Sequence, residues 1–188
     1  MNRPWIIVVS GPPCSGKSTL AARLADDTAW PVVSKDAWKE VLFDLLGTGD
    51  GAWSRKLSLA AFRIQFAVAE SRIDAHMSLI LEGNFNAAEQ AGPVAALADR
   101  GGRLLQVACR ASAQELARRR RQRAQARVRH PGHLDAERAS LPDDPARYAP
   151  LPIVPTLVYD SAGDGEGYPR LLRALRRAGV PAGPPPGA

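Results

Sequence analysis

At 188 residues and a formal charge of +6, the chain is long enough for one domain with a real core and too short for a second catalytic domain. Its 45% apolar content is ordinary, which argues against a disordered chain, and no apolar run reaches the roughly 18 residues of a membrane span. Of its 25 basic residues 21 are Arg, and seven of these lie between Arg118 and Arg129, a cluster suited to phosphates, nucleic acid or an acidic surface.

The first element is the strand "WIIVVS", residues 5–10. It lacks the basic leader and longer apolar core of a signal peptide. The next residues, "GPPCSGKST", read as a phosphate loop: Gly11, four residues, then Gly16, Lys17 and Ser18, with a helix predicted over 17–28. Gly11 and Gly16 let the backbone turn so that the N–H groups of Pro12–Ser15 (Pro12 and Pro13 excepted) and of the helix start point inward, with Cys14 in the variable part. Lys17 reaches the outer phosphates, the Ser18 hydroxyl is placed to ligate Mg²⁺, and Thr19 supports the cradle. ATP and Mg²⁺ are the expected cofactors. Cys14 and Cys109 have no metal-ligand spacing and point to a reducing cytoplasm.

A short strand at 31–34 leads into a helix from about Asp36, with Trp38, Val41, Leu42 and Leu45 expected on its apolar side. A long amphipathic helix is predicted over 54–75, a strand over 78–82, a helix over about 87–100, and the strand "RLLQVAC" after it. The helix from about Ser112 runs into the Arg cluster. "IVPTLVYD" restores a strand, 168–178 forms the last helix, and the Pro/Gly tail 179–188 is expected to be disordered. Apolar strands alternating with helices predict an α/β fold: five parallel strands covered on both faces, in three layers.

In such a sheet ligands gather beyond the carboxyl ends of the strands. Asp36 follows the second strand, where it can accept the proton of an attacking hydroxyl, position it, hold Mg²⁺ through water, or simply cap a helix. Glu82 and Asn84 follow the third; Glu82 suits Mg²⁺, its waters, or the acceptor. Lys39 lies one turn after Asp36 and either binds an anionic part of the acceptor or faces solvent. Arg119, Arg123 and Arg127 share one helical face, and the irregular stretch after them makes the region from about 118 to 150 a candidate lid. Such a lid would stabilise charge on a phosphoryl group in flight and exclude water. His130 and His133 are too few for a metal site.

The order of these features resembles the small P-loop kinases with a nucleoside-monophosphate-kinase-like fold, the group that includes chloramphenicol phosphotransferase, gluconate kinase, shikimate kinase and the zeta toxins. The resemblance covers residues 3 to 178. It implies strand order 2-3-1-4-5, Mg-ATP as donor, a hydroxyl acceptor engaged by Asp36, and lid arginines among Arg119, Arg123 and Arg127. It also implies adenine contacts from "YDSAGDG", residues 159–165. The leading expectation is therefore a phosphotransferase acting on a small hydroxylated metabolite or antibiotic. A kinase for nucleotides or nucleic-acid ends and an ATP-dependent switch or assembly factor are the alternatives, distinguished by whether a small alcohol or a macromolecule raises ATP turnover.

Overall fold

The computed structural model describes residues 3–126, 129–134, 145–163 and 165–183. Five strands form one parallel sheet in the order β2-β3-β1-β4-β5, as the sequence predicts. They are β1 (Trp5–Ser10), β2 (Val32–Ser34), β3 (Leu79–Glu82), β4 (Arg103–Arg110) and β5 (Thr156–Asp160). The helices are α1 (Lys17–Thr28), α2 (Lys35–Leu46), α3 (Gly51–Asp74), α4 (Ala87–Asp99), α5 (Ala113–Ala126) and α6 (Gly167–Arg177).

The central strand shows why the sheet is covered twice. Ile7 and Val9 pack with Leu20 and Leu24 of α1 and Leu171 and Leu175 of α6. Ile6 and Val8, pointing the other way, pack with Phe62 and Phe66 of α3 and Val94 and Leu97 of α4. Every residue of β1 is buried, so its apolar run has no polar face. The register then aligns Ser34, Glu82 and Val9 across three neighbouring strands, bringing the second and third strand ends level with the start of the phosphate loop.

Two buried amides tie the sheet to its surroundings. Gln65 of α3 donates to the carbonyls of Val33 (2.6 Å) and Glu82 (2.9 Å), satisfying two strand ends. Gln106 of β4 donates to Ser10 Oγ (2.5 Å) and accepts from the Leu151 N–H (2.9 Å) and Thr156 Oγ1 (3.1 Å).

The structure departs from the predicted pattern in four places. Val41 and Leu45 of α2 are exposed, 47% and 75%, and the buried positions are Lys35, Lys39 and Phe43. The helix turns this face inward because α3 and residues 130–133 pack against it. Helix α3 starts at Gly51 because Asp50 caps it, accepting the Trp53 N–H at 2.8 Å. Strand β5 begins only at Thr156, after Pro155, which has no N–H for the ladder. The start of the tail is anchored at two points: Val180 is 4% exposed and the Gly183 N–H donates to the Asp27 carbonyl at 2.9 Å. Residues 135–144 of the irregular stretch and residues 184–188 of the tail lie outside the described residues.

Candidate active site

The phosphate loop connects β1 to α1, and its glycines are required by geometry. Gly11 has φ 142°, and a Cβ there would sit 2.4 Å from the Cys109 carbonyl oxygen. Gly16 has φ 84°, and a Cβ would meet the Ser161 Cβ at 3.0 Å. Cys14 adopts φ 67° without being glycine, a strained conformation held by the loop.

Three observations show that the loop fits a polyphosphate. Gly16 precedes α1 with no side chain capping the helix, so the first-turn N–H groups have no side-chain acceptor. Ser15 Oγ is buried with no hydrogen-bond partner. Lys17 is buried, its Nζ donating to the Pro12 carbonyl at 2.9 Å. Burial pushes the Lys17 pKa down from its ordinary value, against the opposing pull of Glu82 and Asp36. A desolvated ammonium of this kind gains when an anion arrives.

Glu82 is 3% exposed and sits between two hydroxyls: it accepts from Ser34 Oγ at 2.7 Å and from Ser18 Oγ at 3.4 Å. These hard oxygen donors suit Mg²⁺, which retains waters and is held by few protein ligands. Among the described residues no three His, Cys, Asp or Glu side chains cluster to hold a metal by themselves.

Asp36 lies across the same cleft, in the first turn of α2. Lys35 Nζ is 3.0 Å from its Oδ1, and Arg129 donates to Oδ2. Burial opposes ionisation of Asp36, but Lys35 and Arg129 outweigh it and hold the carboxyl well below the usual carboxylate range. Arg129 belonged to the Arg cluster in the sequence, but nothing in helical spacing paired it with Asp36.

The cleft that holds these groups measures about 1210 Å³. Pro13, Cys14, Gly16, Lys17, Ser18, Thr19, Asp36, Glu82 and Asn84 line it, as do Arg119, Arg120 and Arg123 of α5. Arg127 lies outside the described residues. Arg119 bridges the phosphate loop and the end of β5, donating to the Cys14 carbonyl (3.2 Å), Ser161 Oγ (2.8 Å) and the Ser161 carbonyl (3.2 Å). Glu115, pulled down to about 2 by hydrogen bonds from Arg118 and Arg119, steadies that guanidinium at 2.6 Å.

Lys39 is not in the cleft. It is fully buried behind α2, its Nζ donating to Ser54 Oγ at 2.7 Å, and Ser54 donates in turn to the Gly132 carbonyl at 3.0 Å. The segment carrying Gly132 docks on α2 through aromatic contacts as well. His130 stacks on Phe43 at 5.1 Å, and His133 meets the same ring edge-on at 5.7 Å. Phe85, just after β3, is part of the core, and Trp38 of α2 packs against the same cluster. Cys109 is buried, its thiol pushed up to about 12 by burial.

His133 is neutral in this network. Its pKa is pushed down to about 3 by burial first, then by Arg129, Lys39 and Lys35, against Asp36. The hydrogen bonds assign the Nε2–H tautomer: that N–H donates to Glu40 Oε1 at 2.8 Å, leaving Nδ1 to accept from Arg129 at 3.1 Å. With a folded pKa below the ordinary 6.5, the unfolded chain binds the extra proton between about pH 6.5 and 3. Stability from this residue is therefore full above pH 6.5 and is lost as pH falls towards 3. Hydrogen exchange at Leu134, corrected for intrinsic rates, should be faster at pH 5 than at pH 7.5, and His133→Gln should abolish the difference. Equal protection at the two pH values would show that His133 does not hold the segment.

The sheet order, the glycine cradle at the start of α1 and the helical lid opposite it define a P-loop protein with a nucleoside-monophosphate-kinase-like fold. The family described as an AAA domain matches residues 6–148, and the chain belongs to it. A candidate kinase from Chloroflexus aurantiacus is 32% identical, with a TM-score of 0.78 over 92% of this chain and 98% of that one. The fold also matches the Mycobacterium tuberculosis APS kinase solved with AMPPNP and APS, at 18% identity and a TM-score of 0.62, over 94% of this chain and 99% of that one. The tunicamycin resistance protein of Deinococcus radiodurans, 18% identical, gives a TM-score of 0.57 over 97% of this chain and 100% of that one. No curated protein matches the sequence.

Proposed function

We propose that the protein is a kinase that transfers the γ-phosphoryl group of ATP to a hydroxyl of a small metabolite or antibiotic. The observation that carries this reading is the placement of Asp36 across one cleft from Lys17 and the Ser18–Glu82 pair. A phosphate cradle alone serves hydrolysis or sensing; a second, ionised carboxylate facing it gives an acceptor hydroxyl somewhere to bind.

Lys17 and the N–H groups of the loop would hold the outer phosphates, and Arg119, Arg120 and Arg123 would cover them. Ser18 and Glu82 would hold Mg²⁺, which would supply neutralisation of the phosphate charge. Asp36 accepts a hydrogen bond from the acceptor hydroxyl and aims its oxygen at the phosphorus. Its depressed pKa makes it a weak base, which suits a loose transition state in which that proton is lost late. The acceptor oxygen forms the new P–O bond, the bond to the β-phosphate oxygen breaks, and the hydroxyl proton passes to Asp36 and then to solvent.

The test is incubation with Mg-ATP and pooled hydroxylated metabolites and antibiotics, following ADP and new phosphorylated products by mass spectrometry. A component that gains one phosphoryl group supports the reading and names the acceptor. ADP formed without any product would replace it with a hydrolytic one. Turnover that rises only with nucleotides, nucleic-acid ends or a protein would move the acceptor to that class.

A further inference from the structure

A second cavity of about 680 Å³ opens between α3 and α4, away from the phosphate loop. Its lining is mainly apolar, with Phe66, Ala67, Pro93 and Ala96 along it and Arg63 and Glu70 at its rim. It adjoins the main cleft: Leu59, Phe62, Glu89 and Gln90 line both. At 680 Å³ it falls within the range of small-molecule sites.

The junction has its own architecture. Phe62 and Phe66 stack at 6.2 Å, forming an aromatic shelf that runs from one cavity into the other. Leu59 stands 44% exposed where they meet. Beside it Arg55 and Glu89 pair at 2.7 Å, and Gln90 Nε2 donates to the same Glu89 at 3.3 Å, fixing a polar edge across the opening.

The wall contributed by α4 carries a feature that helix formation alone does not explain. Gly92 and Pro93, the two residue types least favourable to a helix interior, stand together inside the helix. Pro93 cannot donate to the Glu89 carbonyl and presents its ring to the groove instead. The side chains thus grade from ionised and amide groups at Asp36 and Asn84, through Leu59 and Phe62, to a mainly apolar surface at Phe66, Pro93 and Ala96, with Arg63 and Glu70 beside it.

We propose that this groove is part of the acceptor site and that the acceptor is amphiphilic, with its reacting hydroxyl at Asp36 and an aromatic or short alkyl group lodged beyond Phe62. The proposal rests on the kinase reading above, and its test separates the two. Methyl-labelled protein with bound Mg-ADP is titrated with 2-phenylethanol and, in parallel, with glycerol. 2-Phenylethanol should shift the Ala67 and Ala96 methyls saturably and glycerol should not; Ala67→Trp, which fills the groove from an exposed helix position, should abolish the remaining Ala96 shift while leaving ATP affinity unchanged. With the acceptor recovered from the pooled screen, the same variant should raise the acceptor KM at least about tenfold. Absent shifts, equal shifts with glycerol, or an unchanged acceptor KM would each overturn the proposal. An acceptor with no apolar group would overturn it while leaving the kinase reading standing. Groove binding without transfer to any component would overturn the kinase reading and, with it, the assignment of the groove to an acceptor.

Discussion

Asp36→Asn is expected to lower phosphoryl transfer by about 10²- to 10⁴-fold while leaving ATP affinity unchanged. The substitution preserves shape but removes the charge that Lys35 and Arg129 hold in place. An amide offers the acceptor hydroxyl a weaker acceptor and, turned over, an N–H that repels it. It also leaves Lys35, 3% exposed, without its carboxylate, so a lower melting temperature should accompany the loss. Transfer and ATP binding are therefore compared well below the variant's melting point. Transfer close to that of the parent would remove Asp36 from the mechanism, and a parallel loss of ATP binding would make its role structural.

Gly11→Ala should weaken ATP binding at least about tenfold and lower the melting temperature by about 5 °C or more. Two costs add here. The φ of 142° is one that L-residues avoid, and the new methyl would meet the Cys109 carbonyl at 2.4 Å and Ser15 Oγ at 2.8 Å. The carbonyl is backbone of β4, where Cys109 pairs with Tyr159 of β5 one residue beyond the last partner in β1, so it cannot retreat cheaply. Gly47→Ala separates the two costs: φ there is 82°, but nothing lies within 4 Å of the added carbon. That variant should lose a little stability and no ATP affinity. Equal behaviour of the two variants in a nucleotide titration would mean that the clash at Gly11 is relieved in solution.

What the sequence made legible was what short-range pattern encodes. The apolar strands, the loop glycines with Lys17 and Ser18, and the acids at Asp36 and Glu82 each stand in a local context that reveals their place. Residues whose neighbours come from distant segments were hidden. Lys39 carries an ordinary charged side chain at surface-like spacing, and only the arrival of Ser54 and the 130–133 segment buries it. The same arrival turns Val41 and Leu45 outward, reversing the face that periodicity favours. Arg129 is one of seven clustered arginines, and its partner lies 93 residues away. Gln65 and Gln106 look like misplaced polar residues in apolar runs until the carbonyls and hydroxyls they satisfy are in view. Val180 sits in a Pro/Gly tail whose composition suggests no anchor, yet its single apolar side chain finds the α6 face of the core.

Gln106 has a mechanical meaning beyond the bonds it satisfies. The chain leaves the sheet after Arg110 and comes back at Leu151, and one amide grips both that point of return and Ser10, the last residue before the phosphate loop. The side chain that fixes where the chain returns is thus the one that fixes the last residue before the phosphate loop, and the two segments share a single reference point in β4.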